Sequence, residues 1–125
     1  MRQVLVIEDN PDNMRLIRYA LEHAGYGVTE AFTGEDGVRL ALEGGHSFII
    51  TDINLPDIDG LEVTRRIRQS PALGTIPVIA MTSYAMAGDR EHILACGCTG
   101  YFEKPIDPIT IVDRIHELLE SRGRD

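Results

Sequence analysis

The sequence predicts an α/β fold in which one doubly wound parallel sheet carries helices on both faces. Two observations lead to it. Short apolar runs rich in β-branched residues alternate along the chain with stretches of helical periodicity. Each run also stops at polar or turn-forming residues rather than at a tight hairpin, so successive strands run parallel through helical crossovers. Periodicity alone leaves the strand order open.

The elements follow in order. Gln3–Ile7 is a buried strand ending on Glu8-Asp9, and Asn10-Pro11 opens a helix with a capping side chain and proline at its first position. Met14, Ile17, Leu21 and Ala24 give that helix its apolar stripe, and Gly25 stops it. Gly27–Ala31 is a short strand. Thr33 with Asp36 has capping-box spacing and opens a helix through Val38, Leu40, Ala41 and Leu42 that ends at Gly44-Gly45. Residues 48–52 form a central buried strand, then a turn rich in Asn, Pro, Asp and Gly leads to a helix over 61–69 that Ser70-Pro71 closes. Residues 77–81 are the fourth strand, a weak helix spans about 89–95, and 101–103 form a fifth strand stopped by Lys104-Pro105. Asp107-Pro108 repeats the cap-and-proline signature, with Ile109, Val112, Ile115 and Leu119 as the inner face of the last helix. Ile111 and Leu118 widen that face, which suits either a dimer or extra core contact.

With 125 residues and no linker, repeat or low-complexity segment, the chain is expected to be one domain over 1–125, with its core over about 3–121 and a fraying polar tail over 122–125. A net charge of −8 argues against direct binding to nucleic acid, which needs clustered Lys and Arg. No apolar run approaches a membrane span and the amino terminus lacks a signal-peptide layout, so a cytoplasmic setting is expected. Cys96 and Cys98 are too close to staple a fold and lack companions for a zinc site. They read as partly buried thiols in a reducing compartment. His23, His46, His92 and His116 are scattered, and none is expected at the strand ends.

Those ends carry the chemistry. Glu8-Asp9, Asp52, Thr82 and Lys104 terminate strands one, three, four and five, all at the carboxyl edge where an open parallel sheet binds ligands. Singly, each has a plain structural reading: Asp52 as a helix cap, Glu8-Asp9 as a surface loop, Thr82 as local capping, Lys104 as a solvated cation. Together, three carboxylates would repel and raise one another's pKa values. A divalent cation relieves that cost, and an oxygen-only donor set favours Mg²⁺. A lysine and a hydroxyl beside such a cation match the needs of a transferring phosphoryl group.

In these residues the sequence resembles the receiver domains of two-component response regulators, over essentially its whole length. The resemblance lies in Val6-Ile7-Glu8-Asp9-Asn10, Asp52-Ile53-Asn54-Leu55-Pro56, Asp59-Gly60, Met86-Ala87-Gly88-Asp89 and Lys104-Pro105-Ile106. It is nearest to single-domain receivers and to receiver modules of hybrid histidine kinases. The resemblance implies a flavodoxin-like sheet in the order 2-1-3-4-5 with five helices, the order the chemotaxis receiver exemplifies. It implies Asp52 as phosphoacceptor for a phosphohistidine on a sensor histidine kinase or phosphotransfer protein. Mg²⁺ would be held by Asp9 and Asp52 through side chains, by the Asn54 backbone carbonyl, and by Glu8 through a water. Glu8 stands where the family more often has Asp. Thr82 and Lys104 would bind the phosphoryl oxygens, a cis peptide would join Lys104 to Pro105, and Asn54 and Tyr84 would tune phosphoryl lifetime. Thr82 and Tyr101 would form the switch that changes the surface of the fourth helix, fifth strand and fifth helix for a downstream protein.

The implied protein catalyses its own phosphorylation and dephosphorylation, as a monomer or a phosphorylation-linked dimer. A Mg²⁺-dependent phosphohydrolase using Asp52 competes poorly, because such enzymes carry a second Asp where this chain has Asn54, and usually a cap domain. A phosphate sink or relay shares the chemistry and differs in partner and lifetime. A module of a hybrid kinase is a further alternative, although Met1 and the end after the last helix favour a complete small protein.

Overall fold

The computed structural model describes residues 2–83 and 87–123, with side chains for all of these except 87, 88 and 121–123. Five strands, β1 (Gln3–Ile7), β2 (Gly27–Ala31), β3 (His46–Asp52), β4 (Val78–Thr82) and β5 (Gly100–Glu103), form one parallel sheet in the order β2-β1-β3-β4-β5. Helices α1 (Pro11–His23), α2 (Gly34–Glu43), α3 (Gly60–Gln69), α4 (Ala87–Ala95) and α5 (Ile111–Gly123) connect and follow them. The expected flavodoxin-like architecture and strand order are both present.

Alternation along each strand divides the core in two. Val4, Val6, Phe48, Ile50, Ile79, Met81 and Phe102 face α1 and α5, where Met14, Ile17, Leu21, Ile111 and Ile115 meet them. Leu5, Ile7, Ile49, Val78 and Ala80 face the other way, onto Ala41, Val63, Ile67 and Ile93 of α2, α3 and α4. Ile111 and Leu118 both serve the first of these cores.

Local chemistry sets the helix starts. Asn10 Oδ1 accepts from the Asp12 and Asn13 N–H groups at 2.9 and 3.1 Å, and Pro11 follows at the first helical position. Asp59 caps α3 through the Glu62 N–H at 2.8 Å. The carboxyl end of α3 is tied down by Arg68, whose Nη2 donates to Gly97 O at 2.8 Å while its Nη1 reaches Leu73 O and Ile76 O.

Several expected boundaries shift. β3 begins at His46, not residue 48, because Gln3 pairs with His46 and Val4 with Phe48, a register slip that admits two polar residues without strand character. A short 3₁₀ turn, Pro71–Leu73, follows α3. The last helix starts at Ile111, not at Pro108. Asp107 still caps, with Oδ1 accepting from Ile109 N at 2.9 Å and its carbonyl from Ile111 N at 3.0 Å. That turn aims Ile109 outward, so it is 86% exposed instead of lying on the inner face. The helix then runs through Gly123, into the stretch expected to fray.

The segment after β3 closes on itself. The Gly60 N–H donates to Ile53 O at 2.8 Å. A Cβ on Gly60 would lie 2.2 Å from Asp52 O and 2.9 Å from Ile53 Cα, both backbone atoms that cannot yield cheaply. Gly60→Ala is therefore expected to destabilise the protein by about 1–3 kcal/mol, read as a lowered urea midpoint with an unchanged slope.

Candidate phosphoryl-acceptor site

Register places the charged groups. Ile7 pairs with Thr51, so Glu8, one residue beyond β1, stands beside Asp52 at the end of β3. Asp52 pairs in turn with Met81, and Met81 with Phe102. Lys104 lies two residues past Phe102, and its ammonium reaches back to the carboxylates. Its Nζ donates to Asp52 Oδ2 at 2.7 Å and to Glu8 Oε1 at 3.3 Å. The Lys104–Pro105 peptide is cis.

Asp52 is 2% exposed and Glu8 0%. The Asn54 N–H donates to Asp52 Oδ1 at 3.2 Å, so each oxygen of Asp52 has a donor. Glu8 is less well served. Asn13 Nδ2 donates to its Oε1 at 2.7 Å, but the buried Oε2 has no hydrogen-bond partner among the described residues. Burial pushes the Glu8 carboxyl up from 4.5 to about 7; the neighbouring Asp52 adds to this, while Asn13 and Lys104 oppose it. For Lys104, burial acts downward, but the Asp52 hydrogen bond and the charges of Asp52 and Glu8 outweigh it and hold the ammonium above 10.5.

Asp9 is exposed at the mouth, and one oxygen each from Glu8, Asp9 and Asp52 can be chosen so that all lie within 4.8 Å of one another. This donor set is all oxygen, doubly buried, and includes an orphaned carboxylate atom. It fits a hard divalent cation that keeps some of its waters, Mg²⁺ above all. One ammonium against three carboxylates also leaves the cluster short of positive charge.

Thr82 is buried at the end of β4 and opens on a cleft of about 290 Å³ lined with Ile53, Asn54, Leu61, Asp89, His92 and Ile93. Contrary to the expectation from sequence, α4 brings His92 to the wall of this cleft, next to the core residue Ile93. Tyr101 is half-buried on the α2–α3–α4 side of the sheet, the side whose core also takes Val78 and Ala80 of β4. Tyr84 and Met86 lie outside the described residues. Among the site groups expected from sequence, Glu8, Asp9, Asp52, Asn54 and Lys104 converge, and Thr82 adjoins them across the cleft.

Two residues absent from the sequence reading shape the site. Asn13 holds Glu8, as above. Asp57, in the loop after Asp52, caps α2 from outside: its Oδ1 accepts from Gly34 N and its Oδ2 from Glu35 N, each at 2.8 Å. Gly34 permits that approach, since a Cβ there would strike Ile58 Cγ1 at 2.5 Å. Arg66 reinforces the junction, with Nη1 on Glu35 Oε1 at 3.1 Å and Nε on Glu62 Oε2 at 2.9 Å. The only sequence signal for Asp57 is an Asp in a Pro-Asp turn, which does not reveal a helix start more than twenty residues earlier.

Desolvation acts to raise the Asp57 pKa, but the Glu35 and Gly34 N–H groups outweigh it and hold the carboxyl below 3.8. A depressed folded pKa means the stabilisation is present above the unfolded value and disappears as pH falls through the folded one. Asp57→Ala should cost about 0.5–1 kcal/mol at neutral pH, the lower part of the helix-cap range for an exposed carboxylate. Urea melts of the two proteins should converge as the pH drops below 3.8.

Proteins similar to this chain in sequence and shape are consistent with the geometry. The family described as the response regulator receiver domain matches residues 4–116. The chain is 39% identical over 118 residues to the polar-differentiation response regulator DivK of Brucella ovis, covering 94% of this chain and 96% of that one. Among solved structures, it superposes with a TM-score of 0.86 on the receiver domain of the sensor histidine kinase PA1611 from Pseudomonas aeruginosa, at 34% identity and covering 95% and 98% of the two chains. That structure has magnesium coordinated in its active-site cleft. The receiver domain of Ssk1 from Saccharomyces cerevisiae, crystallised with the histidine phosphotransfer protein Ypd1, matches with a TM-score of 0.86 at 25% identity, over 94% and 88% of the two chains. Among the described residues, no helix is long and apolar enough to cross a membrane.

Proposed function

Because this chain belongs to the response regulator receiver family of two-component signalling, we propose that it is a phosphorylation-driven switch whose acceptor is Asp52. The observation that carries this reading is the Asp52 carboxylate itself. It is buried at the end of β3, held by the Lys104 ammonium at 2.7 Å, and grouped with two further carboxylates.

In the proposed reaction a carboxylate oxygen of Asp52 attacks the phosphorus of a phosphohistidine on a sensor kinase or phosphotransfer protein. The P–N bond breaks, the imidazole nitrogen keeps the electron pair, and an aspartyl acyl phosphate remains. The Asn54 N–H fixes the rotation of the carboxylate before attack. Lys104 is already on Asp52 Oδ2 and follows the negative charge onto a phosphoryl oxygen, while the Thr82 hydroxyl donates to another. Asp9 and Asp52 would hold Mg²⁺ by their side chains, with the Asn54 backbone carbonyl, and Glu8 through a bound water. When bound, the cation supplies positive charge to the phosphoryl oxygens and to the crowded carboxylates. Water attack at the phosphorus of the acyl phosphate breaks its P–O bond to Asp52, releases inorganic phosphate and returns the carboxylate, with Asn54 and Tyr84 setting how fast, so the protein turns over its own modification.

The readout is a change at α4, β5 and α5. Thr82 moves toward the phosphoryl group, Tyr101 turns into the space it leaves, and a downstream protein binds the altered surface. Two features support this. Tyr101 is only half-buried, and α4 has the weakest segregation of apolar residues of the helices, as suits an element that rearranges. A sink or relay role uses the same steps and differs in how long the phosphoryl group stays. The likeness to a kinase-borne receiver keeps the hybrid-kinase module as a variant of the same function.

Intact mass after incubation with acetyl phosphate is the direct test. Wild type should gain one phosphoryl group in the presence of Mg²⁺ and none in chelator, and Asp52→Asn should gain none. An adduct on Asp52→Asn, or none on wild type at saturating Mg²⁺, overturns the reading. The decay rate of the adduct separates a lasting switch from a sink.

A further inference from the structure

Glu8 poses a problem that the phosphoryl-acceptor reading leaves open. A glutamate has one more rotatable methylene than an aspartate, and this one is wholly buried next to a lysine. Left alone, its carboxylate would close on the Lys104 ammonium, which also serves Asp52. It does not close. Lys104 Nζ sits at 2.7 Å from Asp52 but 3.3 Å from Glu8, and the shorter bond to Glu8 Oε1, 2.7 Å, comes from Asn13. A carboxylate accepts only, so the group facing Glu8 Oε1 is the amide nitrogen.

Asn13 is itself fixed. Its backbone N–H donates to Asn10 Oδ1 at 3.1 Å, the same cap that starts α1, so the first turn of the helix delivers the amide to a set place. Oε1 of Glu8 thereby takes its shorter bond from a neutral donor and its longer one from Lys104, and the other oxygen, Oε2, is left buried without a partner among the described residues. An unpartnered buried carboxylate oxygen costs free energy unless something fills it.

We propose that Asn13 is a positioning residue of the acceptor site: its amide holds Glu8 in the rotamer that reserves Oε2 for the cation's shell and keeps the Lys104 ammonium nearer Asp52 than Glu8. The proposal deepens the phosphoryl-acceptor reading and rests on it. Asn13 touches neither phosphorus nor cation in this scheme and acts through Glu8. On this proposal the requirement belongs to glutamate at this position: an aspartate, one methylene shorter, would stand farther from Lys104 and need the restraint less.

The test is Mg²⁺-dependent thermal stability of the full chain, with phosphorylation by acetyl phosphate as a second readout. Wild type, Asn13→Leu, Asn13→Ser, Glu8→Asp and the Glu8→Asp/Asn13→Leu double variant are compared. Both Asn13 variants should raise the Mg²⁺ concentration at half-maximal Tm increase by about three- to tenfold, at or below the range for groups that orient metal ligands. They should also slow adduct formation at saturating Mg²⁺, because Lys104 is drawn off Asp52. In the Glu8→Asp background the same substitution should move the Mg²⁺ midpoint less than half as far on a logarithmic scale. Tm in chelator reports any purely structural cost, which would shift Tm and leave the Mg²⁺ midpoint unmoved.

An unchanged midpoint in a wild type that does accept phosphate overturns the proposal alone. So does an equal shift in the Glu8→Asp background, which would mean that Asn13 acts elsewhere, and so does failure of both Asn13 variants to fold. A wild type with neither Mg²⁺ response nor adduct defeats the phosphoryl-acceptor reading itself, and this proposal with it.

Discussion

Three carboxylates sharing one end of a sheet with a single lysine is an arrangement that electrostatics opposes and that the fold enforces. Glu8 and Asp52 are both removed from water, where each would be better solvated apart. What overrides their repulsion is the ladder behind them: β1, β3 and β4 are buried on both faces, and their register leaves no freedom for the strand ends. The raised Glu8 carboxyl and the raised Lys104 ammonium are two consequences of the same forced meeting. The free energy stored there is available to whatever brings positive charge or disperses negative charge.

Much of this was legible in the sequence, for definable reasons. Buried parallel strands announce themselves as β-branched runs, so the ends of β1, β3, β4 and β5 could be located and their terminal residues gathered at one rim. Asn10-Pro11 and Asp59-Gly60 carry local chemistry that a sequence displays directly. Asn13, Asp57 and His92 were not legible because their roles are tertiary. Asn13 matters through Glu8, Asp57 through a helix start in another unit, and His92 through the way α4 lies on the rim. Ile109 misleads for the opposite reason: its spacing fits the helical stripe, but Asp107 spends a turn before the helix begins.

The alternation of the strands also sorts the site by layer. Val6, Ile50 and Phe102 belong to the core facing α1 and α5, and Glu8, Asp52 and Lys104 each follow two residues later on the same side. Val78 and Ala80 belong to the other core, and Thr82 continues their series, with Tyr101 packed on that side as well. These three charged groups thus approach the rim over one layer, and the Thr82 hydroxyl that borders the cleft approaches over the other. The groups of the site are thus rooted in both layers of the sheet.

The close contact between Gly60 and the Asp52 carbonyl has a consequence for how such a chain can vary. The segment from Ile53 to Asp59 leaves β3 and returns until the backbone of α3 rests against the residue where it started, with the Gly60-to-Ile53 hydrogen bond as its clasp. A closed ring of this kind has a permitted circumference. Adding or removing one residue would break the clasp, shift the start of α3, and pull Asp57 from the end of α2 at the same time. The spacing between Asp52 and Gly60 is therefore a property of the backbone path as much as of the side chains along it. Lengthening should be tolerated in the stretch joining the 3₁₀ turn to β4 far better than here.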